Sequence, residues 1–311
     1  MKTESIKNYI AAPLIVASYF LLVSVITLSF GESIFTVINY IYIGFFAFLG
    51  MYLYAKYPKK KKNKARRISM FAIGGLLFLA MGVMGRIDGQ LEGFFFYVLA
   101  GITAGTISHY FIAKIIGPIF INRGWCGWGC WTIMILDLFP YKRSDGRLPK
   151  KFGWVRYLHF VMSFLLVMVL WFGFKYSISN VKWDITGMYW FLGGNILYYA
   201  IGISLVLLLK DNRAFCKYVC PVSVILKLSS NFSLLRIKGK KELCNECDAC
   251  NKTCPMNVPI TQYILNDKRV LSTECVMCLT CINSCPTKAL SASLGLDISK
   301  GILLNQEQIN V

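Results

Sequence analysis

Six long runs of apolar residues, all before residue 210, constrain the fold of this 311-residue chain most strongly. A helix needs about twenty residues to cross the hydrocarbon core of a bilayer. The runs cover Tyr9–Phe30, Ile34–Ala55, Ile68–Met84, Gly93–Phe120, Trp154–Phe174 and Met188–Leu209. Each run is continuously apolar rather than alternating, which favours helices over a barrel. The sequence predicts an α-helical membrane bundle of six transmembrane helices within residues 1–230, followed by a small domain over residues 231–311.

The charges separate the same two parts. The chain has a formal net charge of +19, with 56% hydrophobic and 16% charged residues. Residues 1–230 contain 25 Lys and Arg against 8 Asp and Glu, whereas residues 231–311 contain 9 against 7. The surplus therefore belongs to the loops between the apolar runs, where membrane topology places basic residues. A nucleic-acid-binding protein would carry it on the compact domain, so we expect a bilayer and not a nucleic acid as the partner.

The same basic residues predict an orientation. Residues 56–67 carry eight positive charges, residues 121–153 carry six, and the N-terminal segment adds two. The loops on the opposite side carry three, namely Arg86, Lys175 and Lys182. Basic loops stay on the cytoplasmic side. We therefore expect a multi-pass protein of the plasma membrane with both termini and the C-terminal domain in the cytoplasm.

Eight of the twelve cysteines form two copies of the run C-x2-C-x2-C-x3-C-P, starting at Cys244 and Cys275. In bacterial ferredoxins three thiolates of this run bind one [4Fe–4S] cluster and the fourth binds the other. The spacing predicts one cluster on Cys244, Cys247, Cys250 and Cys285, and a second on Cys275, Cys278, Cys281 and Cys254. Zinc is the alternative, although its sites normally use two separate C-x2-C pairs. Residues 236–298 resemble the two-cluster bacterial ferredoxin domain, which implies a small α+β fold with pseudo-two-fold symmetry and low-potential one-electron chemistry.

A second repeat follows the fourth and sixth apolar runs. Asn122-Arg-Gly-Trp-Cys-Gly-Trp-Gly-Cys130 returns at an offset of 90 as Asn212-Arg-Ala-Phe-Cys-Lys-Tyr-Val-Cys220. Both elements lie on the predicted cytoplasmic side. The four thiols are therefore candidate ligands of a further iron–sulfur or metal centre, and they are Cys126, Cys130, Cys216 and Cys220. A redox-active dithiol site and inert buried cysteines are the competing interpretations.

Taken together, these motifs resemble the NapH/NosR-type membrane polyferredoxin family from about the third helix to Leu296. The resemblance implies electron transfer between a membrane or cytoplasmic donor, or the quinone pool, and a partner redox protein. This sequence has Trp131 where such motifs usually have proline, as at Pro221. It also lacks the flavin-binding domain of the NosR type, which indicates a flavin, haem or other redox group on a partner chain. A reductase that matures a partner's metal or cofactor, and an iron–sulfur redox sensor, are the alternative functions.

The remaining polar residues in apolar surroundings are weaker candidates. His109 and His159 lie within predicted spans and are candidates for haem ligation or for a hydrogen bond to a quinone. We expect Asp88 and Glu92 to be solvated in an outer loop, and Asp137 to face the lipid headgroups. The sequence has no phosphate-binding glycine loop, dinucleotide fingerprint or nucleophile elbow, so we identify no catalytic residue.

Overall fold

The computed structural model of the chain describes residues 2–29, 34–102, 105–141, 150–176 and 185–297. This part is mostly helical and contains a two-stranded sheet. The α-helices are α1 (Lys2–Ser29), α2 (Ile34–Lys56), α3 (Lys62–Leu77), α4 (Leu91–Leu99), α5 (Thr106–His109), α6 (Gly117–Ile121), α7 (Gly124–Trp128), α8 (Trp131–Leu136), α9 (Val155–Met168), α10 (Thr186–Leu209), α11 (Ala214–Tyr218), α12 (Val222–Ser230), α13 (Ala249–Thr253), α14 (Ile260–Leu265) and α15 (Thr280–Ser284). π-helical segments at Phe78–Met84, Tyr110–Ile116 and Val169–Gly173 continue α3, α5 and α9, and 3-10 turns occupy Lys59–Lys61, Lys150–Trp154 and Lys241–Leu243.

Four helices in the described part are long and apolar enough to cross a membrane. They are Thr36–Lys56, Lys62–Met84, Phe152–Gly173 and Thr186–Leu209, and they correspond to the second, third, fifth and sixth predicted runs. Two further apolar helices, Pro13–Ser29 and Thr106–Ile121, are shorter. The helical membrane character is thus confirmed, whereas six crossings remain a prediction.

The fourth run is not the continuous helix that its composition predicts. Helix α4 ends at Leu99, and the helical chain resumes at Thr106. Gly101 and Gly105 each have a φ of 69° in the segment between them, a backbone conformation that glycine adopts at little cost. Four-residue spacing of two glycines in an apolar run is also typical of close helix packing. Here the two glycines instead interrupt the helix.

By contact density the chain divides into two compact units. In the described part, the first unit contains residues 2–29, 34–73, 117–130 and 229–297, and the second contains residues 74–102, 105–116, 131–141, 150–176 and 185–228. The chain enters the first unit for the last time at residue 229, close to the predicted domain boundary at 230. The C-terminal domain therefore shares its unit with α1 and α2.

Close backbone approach holds the helices of the first unit. A Cβ atom added at Gly44 of α2 would lie 2.7 Å from the Cβ of Phe20 of α1, and one at Gly50 would lie 2.4 Å from the Cβ of Ser69. Glycine at these positions lets the neighbouring helix pack directly on the backbone.

The C-terminal domain is α+β, as expected. Strands β1 (Leu235–Gly239) and β2 (Leu290–Leu294) pair antiparallel with Leu235 opposite Leu294 and Gly239 opposite Leu290. Helices α13, α14 and α15 lie between them in sequence. A buried guanidinium joins the start of β1 to the residues that follow β2: Arg236, 1% exposed in its side chain, lies 3.0 Å from the carboxylate of Asp297.

In the second unit, two carboxylates are not solvated as the sequence analysis predicts. Asp88 is 1% exposed, and its carboxylate accepts a 3.0 Å hydrogen bond from the Gln90 amide. Burial raises the pKa of Asp88 to about 7, because the desolvated carboxyl group favours its neutral form. Glu92 is half-buried and accepts a 2.6 Å hydrogen bond from Ser163. The expectation fails because tertiary packing covers Asp88 and pairs Glu92 with Ser163.

Candidate functional site

The two cysteine runs share unusual backbone conformations at positions that are 31 residues apart. Positive φ values occur at Glu246 and Met277 (55° and 47°), at Asp248 and Leu279 (58° and 60°), and at Asn257 and Lys288 (both 55°). Each run also places its third cysteine, Cys250 or Cys281, in a five-residue helix, α13 or α15, that ends directly before the fourth cysteine. The repeat in the sequence is therefore a repeat in three dimensions.

A pair of equivalent residues marks the relation between the halves. Thr253 and Ser284, which differ by the same offset, contact each other through their hydroxyl oxygens at 2.7 Å. Equivalent positions meet in this way on a two-fold axis. Each is followed directly by the fourth cysteine of its run, Cys254 or Cys285, so these cysteines lie where the two halves meet.

Four cysteines of the second predicted cluster line one cavity. The cysteines in its lining are Cys254 of the first run and Cys275, Cys278 and Cys281 of the second. Its other walls are mostly apolar, including Ile237, Val258, Ile260, Val270 and Leu279. The donor set therefore fits an iron–sulfur cluster, which takes four thiolates.

Burial and neighbouring thiols disfavour the ionisation of two cysteines in this cavity. Burial, and then the charges of Cys254 and Cys278, raise the pKa of Cys275 to about 12. Burial and the neighbouring Cys278, Cys275 and Cys254 raise the pKa of Cys281 well above its usual range. Ionised neighbours would therefore disfavour the thiolate form of Cys275 and Cys281. Iron would supply the positive charge that lets coordinating thiols stay deprotonated.

Backbone amides support the fourth cysteine of each run. The Val258 amide donates to Cys254 Sγ at 3.4 Å, and the Ala289 amide donates to Cys285 Sγ at 3.3 Å. Hydrogen bonds to sulfur are one of the means by which a protein sets the potential of a cluster.

The cysteines of the first predicted cluster are more open to solvent. Cys247 is exposed, Cys244 and Cys285 are half-buried, and Cys250 is buried. Cys250 Sγ lies 3.4 Å from the hydroxyl of Thr261. The described residues contain no group of three or more His, Cys, Asp or Glu arranged around a single ion. A four-iron cluster distributes its thiolates over separate irons, so its ligands stand further apart than those of one zinc ion.

The two C-x3-C elements form matching short helices, again at an offset of 90. Helix α7 contains Cys126 and α11 contains Cys216, and both thiols are buried. Cys130 and Cys220, which follow these helices, are half-buried. The first pair belongs to the first unit and the second pair to the second unit, so their convergence remains a prediction.

A carboxylate pairs with the buried arginine that precedes each short helix. Arg123 contacts Glu274 at 2.7 Å, and Arg213 lies 3.8 Å from Asp137. Asn212 also donates to Asp137 at 3.1 Å. Asp137 is 4% exposed, so the prediction that it faces the headgroups is wrong. Because a carboxylate pairs with each guanidinium, the first role of these arginines is to form structural ion pairs rather than to ionise the nearby thiols.

The histidines are placed separately from the cysteine runs. In the second unit, the His109 ring centroid lies 5.8 Å from that of Trp131, within a buried aromatic group. His159 Nδ1 lies 2.9 Å from the carbonyl oxygen of Val219. This contact occupies one ring nitrogen of His159 and gives it a structural role beside the second C-x3-C element.

Sequence reasoning missed two residues of the first C-x3-C element, Gly127 and Trp128. Both contact the backbone of the Cys275–Cys278 loop. The sequence feature that could have identified them is a difference between the two C-x3-C elements. At an offset of 90, Gly127 corresponds to Lys217 and Trp128 to Tyr218, so the copies are not equivalent where they contact their surroundings.

Apolar spanning helices and a cavity lined by four cysteines define a class, the membrane iron–sulfur proteins. Comparison with known families agrees: a 4Fe-4S dicluster domain matches residues 236–288, and a 4Fe-4S binding domain matches residues 106–153 and 192–241. The second match includes both C-x3-C elements. The chain belongs to the membrane polyferredoxin-like 4Fe–4S proteins of electron transport.

Three relatives show the range of this similarity. YccM of Escherichia coli K12, provisionally named an electron transport protein, is 26% identical over 191 residues, 56% of this chain and 52% of YccM. MauN of Paracoccus denitrificans, named a methylamine utilization ferredoxin-type protein, is 25% identical over 46% of this chain and 53% of MauN. The regulatory protein NosR of Pseudomonas aeruginosa is 36% identical over 23% of this chain and 73% of NosR. The chain thus spans about half the length of YccM and MauN. No solved structure matches the chain significantly.

Proposed function

We propose that this protein passes electrons between a cytoplasmic donor or the quinone pool and a partner redox protein. The observation that carries the proposal is the apolar cavity lined by Cys254, Cys275, Cys278 and Cys281. Such a site needs no substrate-binding groups, because electron transfer requires of the protein that it place and tune its centres.

The proposed ligand sets follow the sequence prediction. Cys244, Cys247, Cys250 and Cys285 hold one [4Fe–4S] cluster, and Cys275, Cys278, Cys281 and Cys254 hold the other. When bound, each supplies one-electron chemistry. The buried walls of the described cavity exclude water, and the amides of Val258 and Ala289 donate to the sulfurs of Cys254 and Cys285.

We further propose that Cys126, Cys130, Cys216 and Cys220 form an additional redox site. Its support is that one 4Fe-4S binding domain description matches both elements separately. Each element also buries one of its two cysteines in a short helix. An iron–sulfur centre is the favoured identity, and a dithiol pair is the alternative.

The location and partners complete the proposal. The basic loops favour six spans, with residues 231–311 in the cytoplasm. The loop charges at residues 142–149 and 177–184 lie outside the described residues. A flavin, haem or other redox protein is the proposed partner, in keeping with a relative named a ferredoxin-type protein. A redox sensor is the second candidate, because another relative is named a regulatory protein.

Reoxidation by a quinone tests the proposal. The protein is purified anaerobically, placed in lipid vesicles and reduced with dithionite, and decylubiquinone is then added. We expect the electron paramagnetic resonance (EPR) signal of the reduced clusters to disappear in proportion to the quinone added. A Cys278→Ser variant is the matched control and should lose part of the signal before the quinone is added.

The alternatives give different results in the same vesicles. Reduction of a ferric salt but not of the quinone would favour a maturation reductase. Clusters that break down in air without reducing any acceptor would favour a sensor. A protein whose reduced clusters persist with every one-electron acceptor tried is not an electron carrier.

A further inference from the structure

The two halves of the C-terminal domain differ in what covers their ligand loops. In the first half, Asn245, Glu246 and Cys247 are exposed. The equivalent residues of the second half, Val276, Met277 and Cys278, are at most 8% exposed. A symmetrical pair of loops therefore lies in two unlike environments. The cause must lie outside the repeat itself.

Helix α7 of the first C-x3-C element covers the second loop. The Trp128 indole donates a 2.9 Å hydrogen bond to the Met277 carbonyl oxygen. One residue earlier, a Cβ atom added at Gly127 would lie 2.3 Å from the Val276 carbonyl oxygen. At the start of the helix, Arg123 donates to the Thr273 carbonyl oxygen at 3.3 Å. The helix and the arginine before it thus contact the backbone at Thr273, Val276 and Met277, on both sides of Cys275.

Residues of α2 and α3, which belong to the same unit, also contact α7. Arg66 donates to the Gly127 carbonyl oxygen at 3.3 Å, and Ser69 donates to that of Trp128 at 3.4 Å. The Tyr54 ring lies edge-on to Trp128 with centroids 5.6 Å apart. Helix α7 is therefore held by contacts with α2 and α3 as well as by its contacts with the loop.

The second C-x3-C element cannot make this contact in the same way. Lys217 occupies the position of Gly127 and its ammonium group pairs with Asp211 at 2.6 Å. If a loop approached Lys217 as closely as the Val276 backbone approaches Gly127, the lysine side chain would collide with it. The glycine and the indole are particular to the first copy.

We propose that Gly127 and Trp128 form a dock for the Cys275–Cys278 loop, which makes the two cluster sites inequivalent. The docked site, with Cys254, Cys275, Cys278 and Cys281, is shielded and its loop is held in place. The undocked site, with Cys244, Cys247, Cys250 and Cys285, is open to solutes. This inference rests on the ligand sets of the proposed function. Gly127 and Trp128 are positioning residues, since they act through the backbone of the loop.

Iron release measures the difference directly. The holo-protein in detergent is treated with ferricyanide and EDTA, iron release is followed in time, and freed cysteines are alkylated and located by mass spectrometry. Within the C-terminal domain we expect two phases, with Cys244 and Cys247 labelled in the fast phase and Cys275 and Cys278 in the slow phase. Trp128→Phe should speed the slow phase alone by about fivefold, as expected for one buried hydrogen bond.

A second variant and two controls complete the test. Gly127→Ala should speed the slow phase on the order of tenfold, because the added methyl group displaces the loop. Glu246→Ala on the open loop and Tyr218→Phe in the second copy should leave the slow phase unchanged. A single phase in the unmodified protein, or equal acceleration of both phases by both dock variants, overturns the dock. If the two phases respond as expected but the reduced clusters persist with every one-electron acceptor, the dock stands and the proposed function is rejected. A preparation without iron would reject both.

Discussion

Replacing Cys285 by serine is expected to empty the cluster site of Cys244, Cys247 and Cys250, although Cys285 belongs to the other run. The reason is the exchange of fourth ligands between the halves. The cavity of the other site is consistent with such an exchange, since Cys254 of the first run lines it together with Cys275, Cys278 and Cys281 of the second. We expect each chain to lose about four irons, the content of one cluster. Iron analysis and alkylation of the freed cysteines measure the outcome.

Cys254→Ser is the matched control, since it changes the equivalent residue of the other half. It should lose a similar amount of iron but release Cys275, Cys278 and Cys281 for alkylation. If Cys285→Ser instead frees its own neighbours in the run, each run binds its own metal, and the exchanged ligand sets are wrong.

Converting Cys126, Cys130, Cys216 and Cys220 together to serine is expected to abolish electron transfer to the quinone. The C-terminal clusters should remain, because none of the four belongs to their proposed ligand sets. If the four thiols hold a cluster, the iron in excess of about eight should disappear as well. If they form a dithiol site, iron should not change, and alkylation of the unmodified protein should depend on the redox potential of the buffer.

Two double variants distinguish a shared site from separate ones. Changing Cys126 and Cys130, or changing Cys216 and Cys220, should each have the full effect if the four residues act together. Loss with one pair and not with the other would assign the role to that pair alone. Normal iron and normal electron transfer in the quadruple variant would make all four structural.

The features that could be predicted from the sequence are those that depend on the spacing of residues close together in the chain. Apolar runs of spanning length and the repeated cysteine run depend on neighbouring residues, and both correspond to elements of the fold. The offset of 31 between Cys244 and Cys275 even anticipates the repeated backbone conformations at Glu246 and Met277. Local chemistry decides these features, so no knowledge of distant contacts was needed.

The features that it could not predict depend on distant contacts. Composition alone cannot tell that Gly101 and Gly105 interrupt a helix rather than pack against one. The burial of Asp137 depends on Asn212 and Arg213, 75 residues or more away. Likewise the contact between Trp128 and the Met277 carbonyl joins residues that are 149 positions apart. Such contacts are set by tertiary packing, which outweighs local preference.

Iron and acid-labile sulfide analysis of anaerobically purified protein, combined with EPR after dithionite reduction, tests the central claim most directly. That claim is that the chain holds two [4Fe–4S] clusters. We expect brown protein with at least about eight irons and as many sulfides per chain, and a spectrum from two reduced clusters. Protein that contains zinc in place of iron, or that gives no cluster signal when reduced, would contradict it.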